Sequence, residues 1–157
     1  MHLDIEHYID ELRHERFRSV VIHHKDYSVL EEFFIQSATK TGGLNLNMQT
    51  HFLSDSELTM GLDSFSVSKL KNLLVKLSSG YSVVFITNLD FLLDTWGNPE
   101  KTDFATLVEK QWNGFYPDNA ATLIFGLHTD HWLQQLVIID TQGKTRVHKL
   151  NEFKAIS

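Results

Sequence analysis

The sequence predicts an α/β domain: a mostly parallel sheet flanked by helices, closed at one edge by a C-terminal antiparallel hairpin. Three observations carry this. Short β-branched runs at Arg18 to His24, Tyr81 to Thr87 and Ala121 to Leu127 are apolar at consecutive positions, as in strands covered on both faces. The segments between them repeat apolar residues at helical spacing. Near the end, two apolar runs flank the Gly-containing turn Thr141 to Lys144, the layout of a hairpin.

Taken in order, Ile5, Tyr8, Ile9 and Leu12 form one apolar stripe and predict a helix from Leu3 to Phe17. Arg18 to His24 is the first strand. Ser28 and Glu31 then have the S-x-x-E form of a capping box, and Leu30, Phe33, Phe34 and Ala38 share a helical face that Gly42 and Gly43 end. Alternation at Leu44, Leu46 and Met48, with Phe52 beyond, predicts a half-buried strand to Phe52. Asp55 to Ser66, rich in Ser, Asp and Gly, reads as loop. Val67, Leu70, Leu74 and Leu77 mark the next helix. Tyr81 to Thr87 is the clearest strand, and Pro99 suits a first helical turn. Phe104, Leu107, Val108, Trp112 and Phe115 form an apolar helical face, before the covered strand Ala121 to Leu127 and the final hairpin, Leu136 to Asp140 and Thr145 to Leu150.

Composition narrows function. At 157 residues, with 42% hydrophobic and 22% charged content, the chain predicts a single domain spanning 1–157. No repeat, low-complexity tract or linker divides it. Fourteen Lys and Arg against twenty Asp and Glu give a net charge of −6, so any nucleic-acid contact is a local patch. The lack of cysteine excludes disulfides, thiolate metal sites and cysteine nucleophiles. Apolar runs of about five residues fall short of the ~18 a membrane span needs, and the first residues lack a basic region followed by an apolar one. No membrane association is expected, and the compartment expected is cytoplasmic or nuclear.

The sharpest motif is Val83 to Leu93. In P-loop ATPases an apolar strand of this kind ends in an acidic pair that organises Mg²⁺ and the attacking water. Thr87 and Asn88 stand there instead, with Asp90 two positions on. The matching phosphate loop, G-x-x-x-x-G-K-[ST], is replaced after the first strand by His23-His24-Lys25-Asp26-Tyr27-Ser28, which has no glycine and carries a carboxylate that would repel phosphate. Gly143-Lys144-Thr145 imitates the motif's end, but Ile138 occupies the earlier glycine position and no helix follows. A strand–turn–helix frame is therefore expected without its nucleotide-binding groups, and no cofactor is expected.

Nine histidines raise the question of metal, chiefly at His23-His24 and at His128 with His131. Only two-ligand spacings occur, whereas zinc takes three or four ligands on a rigid frame. Glu31-Glu32 opens a helix, where negative charge suits the dipole, and no G-x-S-x-G elbow presents a nucleophile. The expectation is a protein that is not an enzyme. Of two basic clusters, Arg13, His14, Arg16 and Arg18 read as cations at a helix C-terminus. Lys144, Arg146 and Lys149, with His148 and Lys154 close by, read as a patch for a phosphate backbone or an acidic partner. Trp112 falls on a core stripe, while Trp96 and Trp132 sit in polar surroundings and are candidate partner anchors.

Several segments carry a resemblance. Val84 to Leu92, the aromatic stretch Val108 to Tyr116, the strand Thr122 to Phe125, and the closing strand, turn and strand Leu136 to Thr145 together resemble the degenerate RecA-like recombinase paralogues of the Shu-complex type. The likeness covers most of Arg18 to Leu150 and rests on apolar and aromatic patterns. It implies a RecA-like, P-loop-type fold and a non-catalytic subunit that joins other recombinase-paralogue subunits in a hetero-oligomer. Such a subunit supports recombinase on single-stranded DNA in homologous recombination repair, in the nucleus if eukaryotic. A weaker resemblance, to small P-loop proteins of BREX-type phage-exclusion systems, implies an accessory role in a bacterial defence complex. A third reading, a metal-dependent enzyme using His128 and His131, rests on residue type alone.

Overall fold

The computed structural model describes residues 2–116 and 119–156. Five strands, β1 (Ser19–His24), β2 (Leu44–Asn47), β3 (Val83–Thr87), β4 (Thr122–His128) and β5 (Val147–Lys149), form one sheet in the order β2-β3-β4-β1-β5. Every pairing is parallel, with Val21 opposite Phe125 on one side and Val147 on the other. The architecture is consistent with a RecA-like α/β fold.

Helices cover both faces, which is why the strands are apolar at successive positions. Val20, Ile22, Val83, Phe85 and Ile124 point to one side, under α1 (Ile5–Leu12), α2 (Tyr27–Thr41) and the tail residues Leu150 and Phe153. Val21, Val84, Ile86, Leu123, Phe125 and Leu127 point to the other. There they meet α3 (Met48–Leu53), α5 (Val67–Leu77), α6 (Asp90–Thr95), α7 (Asn98–Thr106) and α8 (His131–Gln135), with the short α4 (Ser56–Met60) packed on α3. Close approach of α2 to the sheet requires Gly126: a Cβ there would lie 2.8 Å from the Phe34 ring.

Four expectations are corrected by local chemistry. The first helix ends at Leu12, five residues early, because its apolar stripe ends there. The predicted strand to Phe52 stops at Asn47, whose side chain accepts from the Thr50 amide at 3.1 Å and starts α3, so Met48 and Phe52 are buried from a helix. Within the expected loop, Asp55 caps α4 by accepting from the Glu57 and Leu58 amides. The helix carrying Phe104 widens into a π-turn at Leu107–Gln111, which buries Trp112 and leaves Phe115 66% exposed.

No C-terminal antiparallel hairpin of paired strands is seen among the described residues. Among the described residues of this segment, Ile139 and Thr145 alone bridge in that sense, while the next residues leave to pair with β1 in parallel as β5. Arg146 directs this exchange: 2% exposed, its guanidinium donates to the carbonyls of Ile139, Phe17, Ser19, Val108 and Glu109 at 2.7 to 3.2 Å. It thereby ties β5 to the start of β1 and to the π-turn. The outer rim of β5 is closed by side chains from just before and after it. Thr145 Oγ1 accepts from the Val147 amide and donates to the Val147 carbonyl, both at 3.1 Å, and Glu152 accepts from the Lys149 amide. An edge strand so engaged offers little to an incoming chain.

Candidate functional site

In open parallel sheets, ligands bind beyond the carboxyl ends of the strands where the connections part to opposite faces. Here β1 leads into α2 on one face and its neighbour β4 leads into α8 on the other, so the crevice lies between their tips. His23, His24, Tyr27, Glu31, Asn88, Asp90, His128 and Thr129 gather around it.

The α2 N-terminus, where a phosphate would dock, is occupied by the chain itself. Asp26, and not Ser28, is the capping residue. Its Oδ1 accepts from the Ser28 amide at 3.0 Å, the Ser28 hydroxyl at 2.7 Å and, at 3.5 Å, the Val29 amide. The Asp26 amide donates to His24 Nδ1 at 2.9 Å. Hydrogen bonding, led by the Ser28 hydroxyl, holds the Asp26 carboxyl below its ordinary range, so it stays an anion at the position a phosphate oxygen would take. The expected capping-box partner, Glu31, instead accepts from the Asn88 side-chain amide.

The β3 tip is equally committed. Thr87 is buried. Asn88 adopts φ 55°, a conformation Asn tolerates better than other residues with a Cβ, and its amide donates to the Tyr27 hydroxyl. Tyr27 in turn donates to the Gly126 carbonyl at 3.2 Å. Burial, then the nearby Asp90 carboxylate, pushes the phenol far above its usual range. Asp90 turns towards β4, where Oδ1 accepts from the His128 amide at 3.0 Å, while its buried Oδ2, on the side of the Tyr27 hydroxyl, has no well-formed hydrogen bond among the described residues. Burial raises the Asp90 pKa above the ordinary carboxylate value. A carboxylate placed in this way joins the β4 tip to Tyr27, the first residue of α2.

On the β1 side, His23 is buried and shares a 2.7 Å hydrogen bond with Thr129 Oγ1. Burial, followed by the Lys149 ammonium, lowers its pKa and favours the neutral ring. His128 is exposed, and His131 Nε2 meets Gln135 at 3.2 Å. Among the described residues no three His, Asp or Glu side chains stand close enough to share a metal ion. Among these residues His128 and His131 have no third ligand beside them.

The residues expected to contact nucleic acid are dispersed. Arg146 is buried with its donors spent on carbonyl groups, so it cannot meet a phosphate. Lys144 is exposed in the turn before β5, where Thr141 binds Glu15, at the amino ends of the strands. Lys149 is exposed beside His23 at the carboxyl ends. Of the two candidate anchors, Trp96 differs from expectation. Trp96 is buried, stacks near Phe104 and donates Nε1 to the Phe65 carbonyl at 2.7 Å, so it is core. Trp132 is half-buried against the β4 side of the core.

Two features escape sequence reasoning. Phe115 and Tyr116 are exposed aromatics near the amino ends of the strands, where Gly114 bonds to Arg16 and the Arg16 guanidinium lies 5.2 Å from the Phe17 ring centre. The signal was the adjoining Gly114, which ends the helical pattern before Phe115. On the α1 face, His148 Nε2 meets the Tyr8 hydroxyl at 2.9 Å and Nδ1 meets Glu152 at 3.2 Å, joining α1 to the tail. Contacts 140 residues apart leave no local pattern. No protein family, curated protein or solved structure matches this chain.

Proposed function

We propose that this chain is a non-catalytic RecA-like subunit that associates with other RecA-like subunits and supports a recombinase on single-stranded DNA in homologous recombination repair. One observation carries the reading: the α2 N-terminus is filled by Asp26, with Ser28 and His24 completing its hydrogen bonds. A phosphate arriving there would have to displace a hydrogen-bonded carboxylate, in a loop without the glycines that let backbone amides close around it. Electrostatics thus oppose the triphosphate at the position where a P-loop protein grips it. Association remains the role that the frame supports, and the resemblance of Val84 to Leu92 and Val108 to Tyr116 supplies the class of partner.

With Arg146 buried, any DNA contact at the amino ends of the strands falls to Lys144 and Lys110, which stand there among the carboxylates Glu15, Glu109 and Asp140. The test is co-expression with a RecA-like partner from the same source. Co-elution as a stoichiometric complex is expected, with no retention of a labelled ATP analogue by this chain alone. A monomer that captures no such partner, or one that retains the analogue with Mg²⁺ at micromolar concentration, overturns the reading.

A further inference from the structure

Between α4 and α5 runs a groove of about 410 Å³ that shares no residue with the β1–β4 crevice and is unused by the function proposed above. Its floor is apolar, formed by Leu58, Phe65 and Leu73. Phe65 is held from below: its ring stands edge-on to Phe52 at 4.9 Å and its carbonyl accepts from Trp96. A floor anchored in this way is ready to bind without first paying to become ordered.

The walls differ in charge. α5 carries Lys69, Lys71 and Lys76 and no carboxylate, on a chain whose net charge is −6. Lys69, Asn72, Leu73 and Lys76 follow one another at helical spacing on the exposed face of α5, and Lys69 and Lys76 line the groove. Glu57 is the acidic group on the opposite wall, and Met60, 87% exposed, stands next to it on α4 as an adaptable apolar contact.

We infer that this groove binds an acidic amphipathic helix of a partner protein, whose apolar stripe covers Leu58, Phe65 and Leu73 while its carboxylates meet Lys69 and Lys76. Two turns of helix separate the lysines, about 10.5 Å at 1.5 Å per residue. That spacing selects acidic residues seven apart on the incoming helix. Glu57 on the far wall disfavours acid on both flanks and so sets the helix's rotation about its axis. The inference is independent of the RecA-like partner reading, since it concerns a different face and a linear segment.

The test uses the full chain and a fluorescein-labelled 18-residue peptide. Leucines recur at i, i+3, i+4 and i+7, and glutamates seven apart flank one side of that stripe. Fluorescence anisotropy should show saturable binding that weakens with salt. Binding should be about tenfold or more weaker for the Lys69→Glu/Lys76→Glu protein, whose substitutions are exposed. A peptide with lysine in place of those glutamates should restore binding to that variant. Four results overturn the inference: no binding, equal binding of a scrambled peptide of the same composition, no effect of the charge reversal, or sedimentation showing that the groove is filled by a second copy of this chain. A fifth is direct binding of a labelled single-stranded oligonucleotide that is lost in the Lys69→Glu/Lys76→Glu protein, with no peptide binding.

Discussion

Arg146 Nη1 lies 2.9 Å from the carbonyl oxygen of Val108, and the same guanidinium reaches Glu109, Phe17, Ser19 and Ile139. Among the described residues no carboxylate forms an ion pair with this buried cation, although Glu109, Asp140 and Glu15 act on it from a distance. It is surrounded by carbonyl dipoles from the end of the π-turn and the start of β1, where partial negative charge accumulates. Burial lowers its pKa, yet a guanidinium starts so high that it stays charged.

Replacing Arg146 therefore leaves several buried carbonyls without donors. Arg146→Met should cost about 3 to 5 kcal/mol in urea unfolding, and Arg146→Lys should recover only part of this because an ammonium lacks the planar fork. Retention of wild-type stability by Arg146→Met would show that water or a neighbouring donor replaces the guanidinium.

Asp90 predicts an effect of opposite sign. Its folded-state pKa is raised, so the folded protein holds the proton more tightly than the unfolded chain does. Stability from this group is complete below the unfolded value and declines as pH rises through the folded one. Asp90→Asn keeps an acceptor for the His128 amide and removes a buried charge. Its melting temperature at pH 7 should equal or exceed wild type, and a clear drop would mean that the carboxylate is stabilised by a group not evident in its surroundings.

His23 acts in the other direction. Its pKa is lowered in the fold, so the unfolded chain binds the proton first and stability falls as pH drops from about 6.5. Substituting His23→Gln should flatten the acid limb of the stability profile between neutrality and pH 5. An unchanged limb would assign it to other groups.

The Tyr8 hydroxyl bonded to His148 predicts a loss of about 1 kcal/mol on Tyr8→Phe, measured by chemical unfolding. Exchange of the Leu3 amide, which donates to the Glu152 carbonyl at 2.7 Å, should accelerate in the same variant. If the amide's protection is unaltered, the two ends are clasped by their backbone bridge alone.

Much of the fold was legible because it depends on local pattern. The apolar runs of β1, β3 and β4 and the stripe of α5 are read from consecutive residues, and so is the absence of glycine before Tyr27. What was missed depends on partners distant in sequence. Ile138 and Ile139 look like a strand, yet Arg146 reaching across to Val108 and Phe17 decides where the chain goes next. Trp96 sits among polar neighbours in sequence, but the Phe65 carbonyl that receives its N–H comes from 31 residues away. At the strand tips, the sequence shows which phosphate-binding groups are lacking. That Asp26 takes their place needs the turn geometry, which places its carboxylate two and three residues ahead of the amides it caps.

Thr145 and Glu152 seal one border of the sheet with hydroxyl and carboxylate groups, whereas β2, four residues long, forms the opposite border. Lateral growth by strand pairing would thus be confined to a single side. Two such molecules meeting there would exhaust their mutual capacity and finish as a closed pair, where a protein open on both sides would propagate into a fibre.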